Sequence, residues 1–306
     1  MKIKFILAIT FCLTLSVQAQ KSLLVLNLEV GKDYKQVMYS DIVMNMEMYG
    51  QKIPMNMSLY ATVSYLIQSA NDTAYEMEVK YEKMAMTMLI QGMKIEINSE
   101  SENEDILSLI LNGMINKPFE MTMNKRGEVT DVRNVDTLVN GLLESITAEY
   151  PEFTELELQQ AKEQVMQSYG EDALKGNMGM STIVFPQYPV KKGDKWIVES
   201  KLTSGFVAEM ITEYKLAKKT NDFILIKGKS KLKTSEDKTQ SQFNGMTFDL
   251  SGTMVSEIKI NPSTGWIIYG EIEQKIGGTT STKENKQNPV GMQMQMNMHN
   301  KMIITN

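Results

Sequence analysis

Cysteine and histidine are almost missing from this sequence: Cys12 and His299 are the sole representatives in 306 residues. A disulfide framework is therefore excluded, and so is a zinc site built from thiolates and imidazoles. A Ser-His or Cys-His nucleophile would rest entirely on His299. Proline is scarce, at seven residues. No apolar run approaches the ~20 residues of a membrane-spanning helix. An excess of basic charge is also lacking. With 32 basic and 37 acidic side chains the net charge is −5 and the pI near 5.3, whereas nucleic acid demands a concentrated basic face. The Gly277-Gly278 pair has neither a P-loop lysine nor a following helix, so it is no phosphate cradle. No carboxylate spacing points to glycosidase chemistry, and the sequence reads as a non-enzyme without a cofactor.

The first residues carry an export pattern: Lys2 and Lys4, an apolar stretch from Phe5 to Val17, then Val17-Gln18-Ala19 as a small-residue cleavage site. Residues 1–19 are read as a signal peptide, giving an exported protein, periplasmic or extracellular, without a transmembrane segment. Cys12 falls inside that signal as an apolar filler. The remaining chain has no thiol, so core packing alone must hold it, and 42% hydrophobic residues suffice for a sizeable core.

What is abundant is methionine, 26 residues, set at every second position. Met44, Met46 and Met48 alternate with polar neighbours, as do Met55 and Met57, Met84, Met86 and Met88, Met121 and Met123, and Met292, Met294, Met296 and Met298. In an extended strand such thioethers leave one face together and the polar residues leave the other. Met246 shares parity with Phe248, Leu250 and Met254. These fifteen methionines from Met44 to Met298 form the candidate ligand-binding face.

Strand signals fill residues 23–99 and return from Trp196 to the final Gly291–Ile304 stretch. The apolar parity flips near Lys83, which a β-bulge would explain. Helical signals lie between: Ser101 and Glu104 as a capping box before a short helix, then Val135, Leu138, Val139, Leu142, Leu143 and Ile146 on one helical face ended by Pro151. A further helix has Thr154 as N-cap, Glu157 at the capping-box position, a staple of Phe153 with Leu158, and Gly170 as C-cap. Met178–Val190 reads as irregular, and residues 277–289 as a polar loop. Turn signals recur in order. Gly31–Tyr34 matches Gly193–Trp196, Ser69–Thr73 matches Lys218–Asp222, Gln91–Met93 matches Asn244–Met246, and Asn124–Gly127 matches Asn261–Gly265. The expected fold is mainly β with a few helices: a strongly curved antiparallel sheet or incomplete β-barrel of two related halves. The expected units are an N-terminal β module over 20–134, a helical pair over 135–180 and a C-terminal β module over 181–306.

The stretch Phe185-Pro186-Gln187-Tyr188-Pro189-Val190-Lys191-Lys192-Gly193-Asp194-Lys195-Trp196 resembles an uncharacterised family of exported bacterial proteins, marked by a Pro-Val segment followed by Gly-Asp-x-Trp. The signal, the Gly31–Tyr34 turn, the Met-alternating strands and the Asn261–Trp266 hairpin extend the likeness over most of the chain. In architecture such proteins resemble the periplasmic lipoprotein-carrier class, in which a curved sheet wraps helices around an apolar cavity. The resemblance implies no catalytic residues.

Three readings of the methionine face stand side by side. It is dry core of a structural or protein-interaction module; it is an adaptable surface for a lipid-like ligand in the cell envelope; or it binds Cu(I) or Ag(I) through soft thioethers. Against the metal, alternate residues of one strand stand ~6.5–7 Å apart, and His299 points away from Met292–Met298. The expected function is non-enzymatic binding or shielding of a hydrophobic ligand. The aromatic residues Tyr34, Tyr65, Tyr75, Tyr81, Trp196, Tyr214 and Trp266 could line a pocket mouth, but on strands they are expected first as core and cross-strand packing.

Overall fold

Alternation of apolar and polar residues turns most of the chain into antiparallel strands, and a computed structural model describes residues 21–100, 106–149, 152, 154–202, 207–235, 242–243, 246–282 and 292–306. The expected signal peptide with Cys12, the Ser101/Glu104 spacing, Pro151, Phe153 and the expected Asn244-Gly245 turn lie outside the described residues. The first half comprises β1 (Asp33–Met48), β2 (Gln51–Ala70), β3 (Ala74–Ile90), β4 (Met93–Asn98), helix α1 (Ile106–Met114), β5 (Phe119–Asn124) and β6 (Val129–Arg133). Helices α2 (Asp136–Glu149), α3 (Glu155–Tyr169) and α4 (Glu171–Met180) follow. The second half comprises β7 (Lys195–Leu202), β8 (Ala208–Lys219), β9 (Ile224–Thr234), β10 (Gln242–Phe243), β11 (Met246–Ile260), β12 (Ile267–Thr282) and β13 (Met292–Thr305).

All thirteen described strands join one open sheet in the order β6-β5-β3-β2-β1-β13-β12-β11-β9-β8-β7, with β4 paired to β3 and β10 to β11. The two halves share one plan. β1, β2, β3, β5 and β6 occur in the same spatial order as β7, β8, β9, β11 and β12 and, every pairing being antiparallel, in the same directions; β4 and β10 differ in partner, and β13 lies between β1 and β12. Equivalent turns make equivalent hydrogen bonds. Gly31 N–H donates to Ile67 O as Gly193 N–H donates to Leu216 O, and Phe185 N–H donates to Arg126 O as Asn27 N–H donates to Thr264 O. Gly127 and Gly265 have φ of 87° and 72°. A Cβ there would lie 2.3 Å from Ile183 O and 2.6 Å from Val25 O respectively, so each turn needs glycine both for its backbone and for the extended segment passing over it.

The sheet curls because its edges are brought to one element: α4 packs against both β6 and β7. Residues 22–28 cross the same end, pairing Ser22 with Val190 and burying Leu24, Leu26 and Leu28. This stretch was expected as strand; it forms only an isolated bridge. Beneath it lies the main core, in which Tyr65, Tyr75, Phe119, Phe185, Met77 and Leu138 are essentially inaccessible. Burial of side chains of this size contributes about 1.5–3 kcal/mol each. The expected aromatic residues all belong to it, with Tyr65 edge-on to Trp266 and Trp196 stacked on Tyr214.

The parity switch of β3 is a register shift opposite Thr62/Val63. Lys83 pairs with Thr62 and Tyr81 with Val63, leaving Glu82 as the additional residue. Glu82 projects outward and meets Lys35 Nζ at 2.8 Å. The capping box of α3 is present, with Thr154 Oγ1 accepting from Glu157 N–H and Glu157 Oε2 accepting from Thr154 N–H. Two expectations change. The connection holds three helices rather than a pair, because the chain turns at extended Gly170 straight into α4. β12 runs on through Thr282, so Gly277 and Gly278 are strand residues rather than loop.

Candidate functional site

Strand register decides which thioethers become neighbours. On the face that carries the helices and core, Met44 pairs with Met55 on one side and Met298 on the other; Met46 pairs with Met296 and Met48 with Met294. Met57 pairs with Met88, and Met84 and Met86 with Ala61 and Leu59. β4 extends the row, since Met88 and Met86 pair with Ile95 and Ile97. Met292 faces Thr282, which in turn faces Met246. Thirteen of the fifteen expected positions thus lie on one inner face of the upper sheet.

The other two differ. Met121 and Met123, on short β5, are 0% and 1% exposed and belong to the sealed core under the helices. The thirteen are half-buried. Met296 and Met298 lean on a second small cluster of Leu202, Ala208, Met210, Leu232, Leu250 and Ile276, and Met84 on the edge of the main core. Met44, Met46, Met48, Met55, Met57, Met86, Met88, Met246, Met292 and Met294 belong to neither cluster. They form an apolar face covered only in part.

Below this face runs a polar row. Asn300, Gln274, Met254, Ser230 and Thr212 are consecutive cross-strand neighbours on β13, β12, β11, β9 and β8. Ser40 Oγ donates to Asn300 Oδ1 at 2.6 Å, and the Thr212 and Ser230 hydroxyls bond at 2.8 Å. From this row to the upper ends of the strands, no inward position carries Asp, Glu, Lys, Arg or His among the described residues. Asn300 sits at the same parity as Met292–Met298. That break in an otherwise uniform Met pattern is the sequence signal by which the row could have been found.

Charge is confined to the other face. His299 Nε2 lies 2.8 Å from Glu273 Oε1, and Lys275 with His299 holds the Glu273 carboxyl below its usual value. The imidazole therefore points away from the methionines, as its phase requires. Among the described residues no group of three His, Cys, Asp or Glu is placed to hold a metal, and no helix is long and apolar enough to cross a membrane.

Fold and site together define a mainly β protein: an open, curved antiparallel sheet with a methionine-lined, uncharged inner face. The chain belongs to a family of unknown function (DUF6263), whose model matches residues 72–267. No curated protein sequence matches it. Among solved structures the chain is similar to lipovitellin, from a structure titled for its lipid–protein interactions, with 9% identity and a TM-score of 0.46 over 92% of this chain. It spans 26% of that chain, about a quarter of lipovitellin's length. It is also similar to Pseudomonas aeruginosa OccK5, at 6% identity and TM-score 0.21 over 90% of this chain and 98% of that one. Salmonella typhi OmpF, solved with daunomycin, matches at 9% identity and TM-score 0.20, over 88% and 97%.

Proposed function

We propose that this protein is an exported, non-enzymatic binder of a hydrophobic, lipid-like ligand, held against the methionine face in the cell envelope. The observation that carries the reading is the contrast among methionines. Met121 and Met123 are sealed, whereas ten on the upper sheet lie outside both buried clusters. Flexible, polarizable thioethers suit a surface that accepts several shapes, and a partly covered apolar face of this breadth marks an interaction site. The test is solvent extraction and native mass spectrometry of protein purified from its own envelope. A stoichiometric lipid is expected; a protein that carries none and fails to bind an apolar dye refutes the reading.

Register also favours a second reading, a soft-metal site. Met55, Met44 and Met298 sit side by side on β2, β1 and β13, where directly opposed Cα atoms are only ~4.5–5.5 Å apart. Three thioethers can then converge on one Cu(I). Anaerobic Cu(I) titration against a strong chelator decides this; an affinity no better than that of an unfolded Met-rich peptide removes it.

A further inference from the structure

Resting on the lipid-binding reading, we propose that the ligand enters with an uncharged oxygen function, an ester or alcohol, seated on the Asn300–Gln274 amides, and with its hydrocarbon chain along the methionines. Complementarity selects this occupant. The upper inner face carries no ionisable side chain among the described residues, so a carboxylate or phosphate brought onto it would have no counter-charge, and burying an unpaired ion costs far more than burying a neutral hydrogen-bonding group. A hydrocarbon without any polar end fits less well, because the row beneath the methionines offers hydrogen bonds. Ser40 takes up only Oδ1 of Asn300, and the Asn300 amide nitrogen has no partner among the described residues. Half-buried Gln274, the cross-strand neighbour of Asn300, has no side-chain hydrogen bond among the described residues.

Those amides supply N–H donors and a carbonyl acceptor at one level, whereas Thr212 and Ser230 satisfy each other. From that level to Met292, β13 rises about 27 Å at ~3.4 Å per residue, room for a long acyl chain. Met298, Met296, Met294 and Met292 line the path from the row to the end of the strand. The geometry therefore orders the site from a neutral hydrogen-bonding floor to an apolar wall.

The experiment displaces the neutral apolar dye N-phenyl-1-naphthylamine from the full chain with methyl hexadecanoate or with sodium hexadecanoate at pH 8. The two competitors share a chain and differ in charge at one end. The ester is expected to bind at least tenfold more tightly than the ionised acid, which corresponds to about 1.4 kcal/mol or more. The variant Gln274→Leu is expected to weaken ester binding severalfold relative to dye binding, with the sheet retained by circular dichroism. Equal or tighter binding of the acid, or an unaltered ester affinity in the variant, overturns the neutral-end inference while the hydrophobic-ligand reading stands. Failure of the dye and both competitors to bind overturns that reading as well.

Discussion

Ser40 and Asn300, 260 residues apart in sequence, are joined by a 2.6 Å hydrogen bond on the inner face. It clasps β1 to β13, the seam at which the two halves of the sheet meet. Ser40→Ala leaves Asn300 Oδ1 unpaired in a site where both residues are more than nine-tenths buried. The expected loss is about 1–3 kcal/mol, read as a lower urea midpoint with an unchanged slope.

Two methionines of similar sequence setting should respond oppositely to truncation. Met77 is fully buried in the main core, so Met77→Ala should cost about 2–5 kcal/mol through lost burial and the cavity left behind. Met46 lies on the partly covered face outside both clusters. Met46→Ala should change stability by less than about 1 kcal/mol, and comparison of the two denaturation curves checks both values.

Binding should follow the reverse order. Met44 has Met55 and Met298 as its immediate cross-strand neighbours. Met44→Lys places a charge in the middle of the apolar face and should weaken apolar-dye binding at least tenfold. Circular dichroism should show the sheet retained. Undiminished dye binding by a folded variant would remove this face as the site.

Gly127→Ala and Gly265→Ala should be damaging to a similar degree, because each residue combines positive φ with a backbone carbonyl closer than 3 Å to the added Cβ. A strained φ alone costs of order 1–3 kcal/mol, and the close contact adds to it. Thermal melts of the two variants, matched against Gly50→Ala with positive φ but open space around it, separate the two contributions.

Alkali should unfold the protein through its buried phenols. Burial pushes Tyr214 from 10.0 up to about 12, and it raises Tyr65 and Tyr81 further in the same direction. Native protein therefore keeps protons that the unfolded chain releases. The stability this represents is fully present below pH 10 and is lost as the pH rises through the folded value. Ultraviolet titration should show these phenolates appearing together with loss of near-ultraviolet circular dichroism, not before it.

Strands with one wet face were plain in the sequence because period-two alternation is a local property, and even the bulge at Glu82 was announced by the change of parity beside Lys83. The candidate face was legible for the same reason, but its limits were not. Met121-Thr122-Met123 has the same local pattern as Met55-Asn56-Met57, and only helices packed from elsewhere seal the first. Helix α4 was missed because Gly176, Asn177 and Gly179 lower its intrinsic propensity, while contacts with both sheet edges hold it in place. The position of β13 between β1 and β12 was beyond a reading of local pattern, since it joins segments about 250 residues apart in sequence.

That central placement of β13 has a consequence for the order of events during synthesis. β1 is among the first strands to leave the ribosome, and the partner on one of its sides is the last strand described. Until residues 292–305 emerge, the facing sides of β1 and β12 present unpaired backbone flanked by methionines, a template for adhesion to other chains. A chain in which residues 292–305 are not yet in place therefore exposes two open strand edges at the middle of its sheet, the kind of surface on which aggregation starts.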